Sequence, residues 1–140
     1  MNAASAADVQ RTFAAVDLSA LRNNVRLLSR RFGDVCAVVK ADAYGHGLVP
    51  CARAAFAGGA AAIAVATPAE GQLLRGCGIQ LPIHILSPAE PLSARICVTQ
   101  RLTPHISSLT FLTAFLAAGG NTQDCFLMLD SGMGREGLLG

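Results

Sequence analysis

Val35-Cys36-Ala37-Val38-Val39-Lys40-Ala41-Asp42-Ala43-Tyr44-Gly45-His46-Gly47 is the stretch on which the reading of this chain turns. Its first five residues form an apolar run with the length and composition of a strand buried on both faces. The run ends in a lysine and then a loop whose glycines, Gly45 and Gly47, allow tight turning and close approach of a ligand. The same strand signature returns at residues 61–66, 82–86, 102–106 and 126–130, beginning roughly 20 to 26 residues apart, as repeated strand–helix units do.

Helical patterns fill the intervals. Before the first strand, residues 19–32 read as a helix capped by Ser19 or Asp17, with Leu18, Leu21, Val25, Leu28 and Phe32 at three- and four-residue steps and Gly33 as the stop. A strand is expected ahead of it at residues 12–18. Residues 48–57 end at Gly58-Gly59, residues 68–75 end at Gly76, a short helix follows Ser87-Pro88, and residues 107–118 end at Gly119-Gly120. Such alternation predicts an α/β fold with a parallel sheet and right-handed crossovers. Periodicity alone leaves a barrel and a doubly wound sheet both open. Length bears on the choice: the chain has 140 residues, whereas a closed (β/α)8 barrel needs about 250. The expectation is a partial TIM barrel of about five of its eight strand–helix units, preceded by a strand and a helix. An incomplete barrel exposes apolar edges, so the isolated 140-residue chain is expected to aggregate or to stay molten.

Composition narrows the function. Only 14% of residues are charged against roughly 25% in an average domain, so much of the chain must be buried. The net charge of +2 comes from scattered arginines, which excludes a nucleic-acid footprint. Apolar stretches such as residues 54–66 are broken by glycines and fall short of a membrane span. The opening MNAASAADVQ has no basic and apolar leader pattern; the expected location is the cytoplasm. The five cysteines, Cys36, Cys51, Cys77, Cys97 and Cys125, never form a C-x-x-C pair, so neither zinc nor a disulfide framework is expected; four of them sit among apolar neighbours and read as small hydrophobes.

Of eleven basic residues only Lys40 is a lysine, and Tyr44, four residues on, is the only tyrosine. A lysine amine can lose its proton at accessible pH and attack a carbonyl, which a guanidinium cannot. Sites on parallel sheets form at the carboxyl ends of the strands, where Lys40, His105 and the segment Asp130-Ser131-Gly132-Met133-Gly134-Arg135-Glu136-Gly137 all fall. Its glycines formally match G-x-G-x-x-G, but Asp-Ser intervenes after the strand and no helix pattern follows, so a dinucleotide site is not expected. The loop serves better to present Arg135 to a carboxylate or phenolic oxygen, unless Arg135 pairs locally with Glu136 or Asp130. His46 orders the glycine loop, His84 reads as a core histidine, and His105 stands at a strand end. No Ser-His-Asp set or metal cluster emerges.

The segment Ala37–Gly47 strongly resembles the cofactor-lysine motif of bacterial alanine racemases, and LDSGMGREG from Leu129 resembles the family's second motif at the expected distance. FAAVDLSALRNNVRLL and Ala64-Val65-Ala66-Thr67 with Glu70 are also similar to the family's N-terminal part. The resemblance implies a fold-type III pyridoxal-phosphate enzyme: an N-terminal barrel, of which residues 1–140 are the front part, then a β domain absent here. The resemblance likewise implies a homodimer that racemises L-alanine to D-alanine for the cell wall. It further implies that Lys40 carries the cofactor and acts as base on one face of the substrate carbon. Arg135 would contact the cofactor's phenolic oxygen and the substrate carboxylate, and Tyr44 would line the cofactor pocket. The family's opposite-face tyrosine, its phosphate loop and its pyridine-facing arginine have no counterpart before Gly140. Met128 stands where many relatives carry a lysine that supports the arginine, and Ser131 replaces a commoner threonine. Alternatives are a serine or broad-specificity racemase, a non-catalytic pyridoxal-phosphate-binding barrel, whose members lack the A-Y-G-H-G loop, and a gene fragment without function.

Overall fold

The computed structural model describes residues 14–139. Five strands, β1 (Cys36–Val38), β2 (Ala62–Val65), β3 (Ile83–Ile85), β4 (Thr103–Ile106) and β5 (Phe126–Leu127), alternate with helices α1 (Leu18–Phe32), α3 (Leu48–Ala57), α4 (Pro68–Gly76), α5 (Ala94–Thr99) and α6 (Leu109–Ala117). A single turn, α2 (Lys40–Gly45), sits directly after β1. Among the described residues no helix is long and apolar enough to cross a membrane.

The sheet decides between the two α/β architectures. Its strand order is β1-β2-β3-β4-β5, every pair parallel and in sequence order, whereas a doubly wound sheet reverses direction at a switch point. Burial agrees. Ile63, Val65, Ile83, Ile85 and Ile106 are fully buried beneath the helices, while alternate positions on β3 and β4, His84, Thr103 and His105, are only half-buried. Helices therefore cover one face and leave the other open, as in an arc of a (β/α) barrel. Each fully buried isoleucine contributes about 1.5–3 kcal/mol.

Two glycines let the outer layer close on the sheet. A Cβ on Gly58 would lie 2.6 Å from the Arg22 carbonyl oxygen and 2.8 Å from Val25 Cβ, so its absence allows α1 to pack on the end of α3. A Cβ on Gly71 would lie 2.9 Å from Leu102 Cδ1 and 3.2 Å from Ile85 Cδ1, so its absence lets α4 pack down onto β3 and the residue that leads into β4.

Three sequence expectations change. The strand at residues 12–18 does not form where it can be seen: Thr12 and Phe13 lie outside the described residues, Ala14–Asp17 is irregular and Leu18 opens α1. The Asp17 carboxylate accepts from the backbone N–H of Ser19 (2.8 Å) and Ala20 (3.0 Å), so this segment is the cap of α1, and Asp17 rather than Ser19 is the capping residue. The last strand is shorter than expected, Phe126–Leu127, followed by a lone bridge between Leu129 and Leu138. Cys51 and Cys97 are buried as small hydrophobes, but Cys36 is exposed on the open face of β1.

Candidate functional site

Lys40 leaves the carboxyl end of β1, where the Val39 N–H still donates to the Ala64 oxygen of β2 (2.8 Å). The backbone then reverses its hand: Ala41, Asp42, Ala43 and Tyr44 have φ between 52° and 56°. Gly45 and Gly47 turn as the sequence led one to expect, with φ 82° and 94°, and four residues with side chains join them, at a cost of roughly 1–2 kcal/mol each. A left-handed turn of this length persists only where its surroundings over-determine it.

Those surroundings are visible. Within the turn, Ala43 N–H donates to Val39 O (2.8 Å) and Gly47 N–H to Asp42 O (2.9 Å). The Asp42 carboxylate accepts from Leu48 N–H at the start of α3 (2.6 Å). His46 Nδ1–H donates to the Ala43 oxygen (3.0 Å), the ordering role expected of it. Ala43 and Leu48 are buried in the core. Glu70, in the first turn of α4, reaches across from the neighbouring unit: Oε1 accepts from Ala41 N–H (2.7 Å), and Oε2 from Ala66 N–H (2.8 Å) and Thr67 N–H (3.1 Å). Lys40 is half-buried and Tyr44 exposed.

The segment after β5 is built differently. Asp130 folds it around itself: Oδ1 accepts from Gly132 N–H (2.9 Å) and Gly134 N–H (3.0 Å), and Oδ2 is 3.0 Å from the same Gly134 nitrogen. These backbone N–H groups, Gly134 first and then Gly132, hold the Asp130 carboxyl below its ordinary value. The loop closes through Asp130 N–H to Leu138 O (3.0 Å) and Leu138 N–H to Met128 O (2.8 Å). Gly137 is needed there, because it has φ 130° and a Cβ would lie 2.5 Å from Asp130 N. Arg135 and Met133 are exposed.

Lys40 and Arg135 thus stand beyond the carboxyl ends of the first and last strands of the arc, on the same rim. No hydrogen bond joins Lys40, Tyr44 and Arg135 to one another among the described residues. On the open face, in register one layer below Lys40, Val38 pairs with Ala64 and Ala64 with His84. His105 Nε2 lies 3.3 Å from His84 Nδ1, and Phe126 stands 5.4–5.5 Å from both rings. Burial lowers both imidazole pKa values, and for His105 the charge of His84 adds to it. The two ring nitrogens stand within hydrogen-bonding distance of each other. The sequence spacing separated these two histidines into a core residue and a strand-end residue; the sheet brings them together.

Residues 16–139 match the family described as alanine racemase, N-terminal domain. The chain belongs to this family. It is 39% identical over 132 residues to an alanine racemase of Frankia casuarinae, covering 91% of this chain and 34% of that protein. It is 40% identical over 133 residues to one of Mycolicibacterium smegmatis, covering 88% of this chain and 33% of that protein. The crystal structure of alanine racemase from Bacillus anthracis with bound L-Ala-P superposes with a TM-score of 0.79 at 35% identity, over 89% of this chain and 34% of that one. The chain spans about a third of the length of the alanine racemases it matches. The parallel five-stranded arc is a partial TIM barrel, as in the alanine racemase structures on which it superposes.

Proposed function

We propose that residues 1–140 are the N-terminal part of a pyridoxal-phosphate-dependent enzyme that interconverts L- and D-alanine, with the β domain that completes it lying outside this sequence. The observation that carries the reading is the setting of Lys40. The chain's only lysine stands half-buried at a strand end, on a left-handed turn held by the side chains of Asp42 and Glu70.

The donor set suits pyridoxal phosphate. An aldehyde requires an amine that can lose its proton, which Lys40 supplies, and a phenolic oxygen or carboxylate requires a fork of N–H donors, which the exposed Arg135 supplies. Lys40 and Arg135 would hold the cofactor, with Tyr44 lining its pocket. When bound, the cofactor serves as the electron sink for ionisation at the substrate α-carbon. Lys40 Nζ takes or returns the α-proton on one face of that carbon, and Arg135 orients the substrate carboxylate. A single base returns the proton to the side it left, so racemisation requires a second acid or base on the opposite face. Tyr44, the only tyrosine, follows Lys40 on the same turn and is not assigned that part. The opposite-face group then comes from outside this sequence, in a homodimer, and the enzyme supplies D-alanine for the cell wall from the cytoplasm.

The test is to incubate the full-length gene product with pyridoxal phosphate and L-alanine, follow D-alanine formation, and reduce a parallel sample with borohydride. D-Alanine accumulation together with cofactor mass on the peptide containing Lys40 is expected. Unchanged L-alanine with no label on Lys40 overturns the reading. Faster turnover of serine or lysine than of alanine would reassign the substrate.

A further inference from the structure

We propose that Glu70 is a positioning residue for Lys40: its carboxylate ties the rim ends of β1 and β2 together and sets the orientation from which the Lys40 amine reacts. The proposal rests on the racemase reading for what Lys40 does, and on hydrogen-bond geometry for what Glu70 does.

Glu70 closes a capping box with Thr67, in which Thr67 Oγ1 accepts from Glu70 N–H (3.3 Å) while Glu70 Oε2 accepts from Thr67 N–H (3.1 Å). A capping box needs only that one acceptor. The other oxygen, Oε1, does something a cap does not require. It accepts from Ala41 N–H at 2.7 Å, 29 residues away in sequence and the shortest of the bonds Glu70 makes. Ala41 N–H belongs to the peptide unit joining Lys40 to Ala41, so this bond fixes the plane from which the lysine side chain departs. It also fixes the first of the four left-handed residues. Only a carboxylate can serve all three donors, because both its oxygens accept and neither donates. Its charge strengthens each bond, and the N-terminus of α4 favours a negative charge at that place.

Glutamine in this position keeps a single acceptor. The two donors Ala66 and Thr67 claim it, and the amide NH2 then faces the Ala41 N–H. Glu70→Gln therefore retains the cap and selectively releases the Lys40 turn. Thr67→Ala does the opposite, removing the hydroxyl half of the capping box while leaving the bond from Ala41 to Glu70 in place.

The experiment compares the full-length gene product with these two variants in two measurements. One is the rate of covalent attachment of pyridoxal phosphate to Lys40, trapped with borohydride and located by peptide mass. The other is amide hydrogen exchange resolved at residues 41–47 and 66–76. In Glu70→Gln, attachment slows by about tenfold or more, as expected when a reacting group is displaced by a fraction of an ångström. Exchange rises at Ala41 and the following turn but not along α4. In Thr67→Ala, attachment keeps its rate although α4 exchanges faster.

Wild-type attachment rate or wild-type exchange at Ala41 in Glu70→Gln overturns the proposal, and so does equal slowing by Thr67→Ala, which would reduce Glu70 to a helix cap. If the unmodified protein takes no cofactor on Lys40, the racemase reading fails by itself. Faster exchange at Ala41 in Glu70→Gln then still supports the brace, and unchanged exchange overturns it.

Discussion

The loops that follow β1 and β5 meet similar demands by opposite means. Both must hold a backbone of positive φ at the carboxyl end of a strand, carried by residues with side chains as well as glycines after β1 and by glycines after β5, and both use an aspartate. Asp42 reaches forward to the next helix, Ala43 and Leu48 sink into the core, and the neighbouring α4 contributes Glu70. The Asp130 carboxylate instead bonds only to Gly132 and Gly134 in its own turn, and the side chains around it, Met133 and Arg135, are exposed. The Lys40 loop is fastened to the barrel wall, whereas the Arg135 loop is fastened to itself. A covalently reacting amine demands fixed geometry at a single atom. A guanidinium that grips a ligand can draw part of its order from that ligand.

This contrast can be broken or sharpened by substitution. The largest effect belongs to Lys40→Ala, which should abolish cofactor attachment and lower alanine racemisation by about a thousandfold or more; Lys40→Arg should not restore either, since a guanidinium does not deprotonate. Measurable labelling in either variant would move the chemistry elsewhere. Arg135→Ala should cost roughly ten- to a hundredfold, chiefly through weaker substrate binding, in line with a lost charge-assisted hydrogen bond. A loss in turnover with unaltered KM would mean that Arg135 acts in the reaction step instead.

Asp42→Ala should lower stability by about 1 kcal/mol, the worth of a lost hydrogen bond at a helix start, and Asp130→Ala by less, because the Asp130 carboxylate bonds only within its own turn. Denaturant titration of both variants checks the order, and a larger loss at Asp130 would overturn the contrast. The smallest effect concerns pH. Burial lowers the pKa of His84 and His105 in the folded state, so the unfolded chain binds protons first as pH falls. Stability is therefore present above the ordinary imidazole range and declines as pH drops through that range toward the depressed folded values. His84→Leu combined with His105→Leu should remove this decline in thermal melts recorded at successive pH values.

Much of this was legible in the residues themselves. Gly33, the Gly58-Gly59 pair and the apolar runs marked helix ends and strands because hydrophobic period and stop residues are local signals. The residues 48–57 form a helix with the bounds read from sequence. Lys40 at a strand end was legible for the same reason. At residues 14–17 the strand expectation failed because an apolar run ahead of a capping aspartate looks like a strand, whereas the Asp17 carboxylate is taken up by the first amides of α1.

The sequence by itself determined the alternation of strands and helices, and it set a lone lysine and a glycine-bound arginine at the ends of strands. Only the tertiary structure decided that the strands run in order as a barrel arc, that Ala41–Tyr44 turns left-handed, and that His84 meets His105. The reason is physical. A left-handed turn of four residues with side chains runs against local preference and is held in part by a carboxylate 29 residues away on its first amide, a partner that no local pattern encodes.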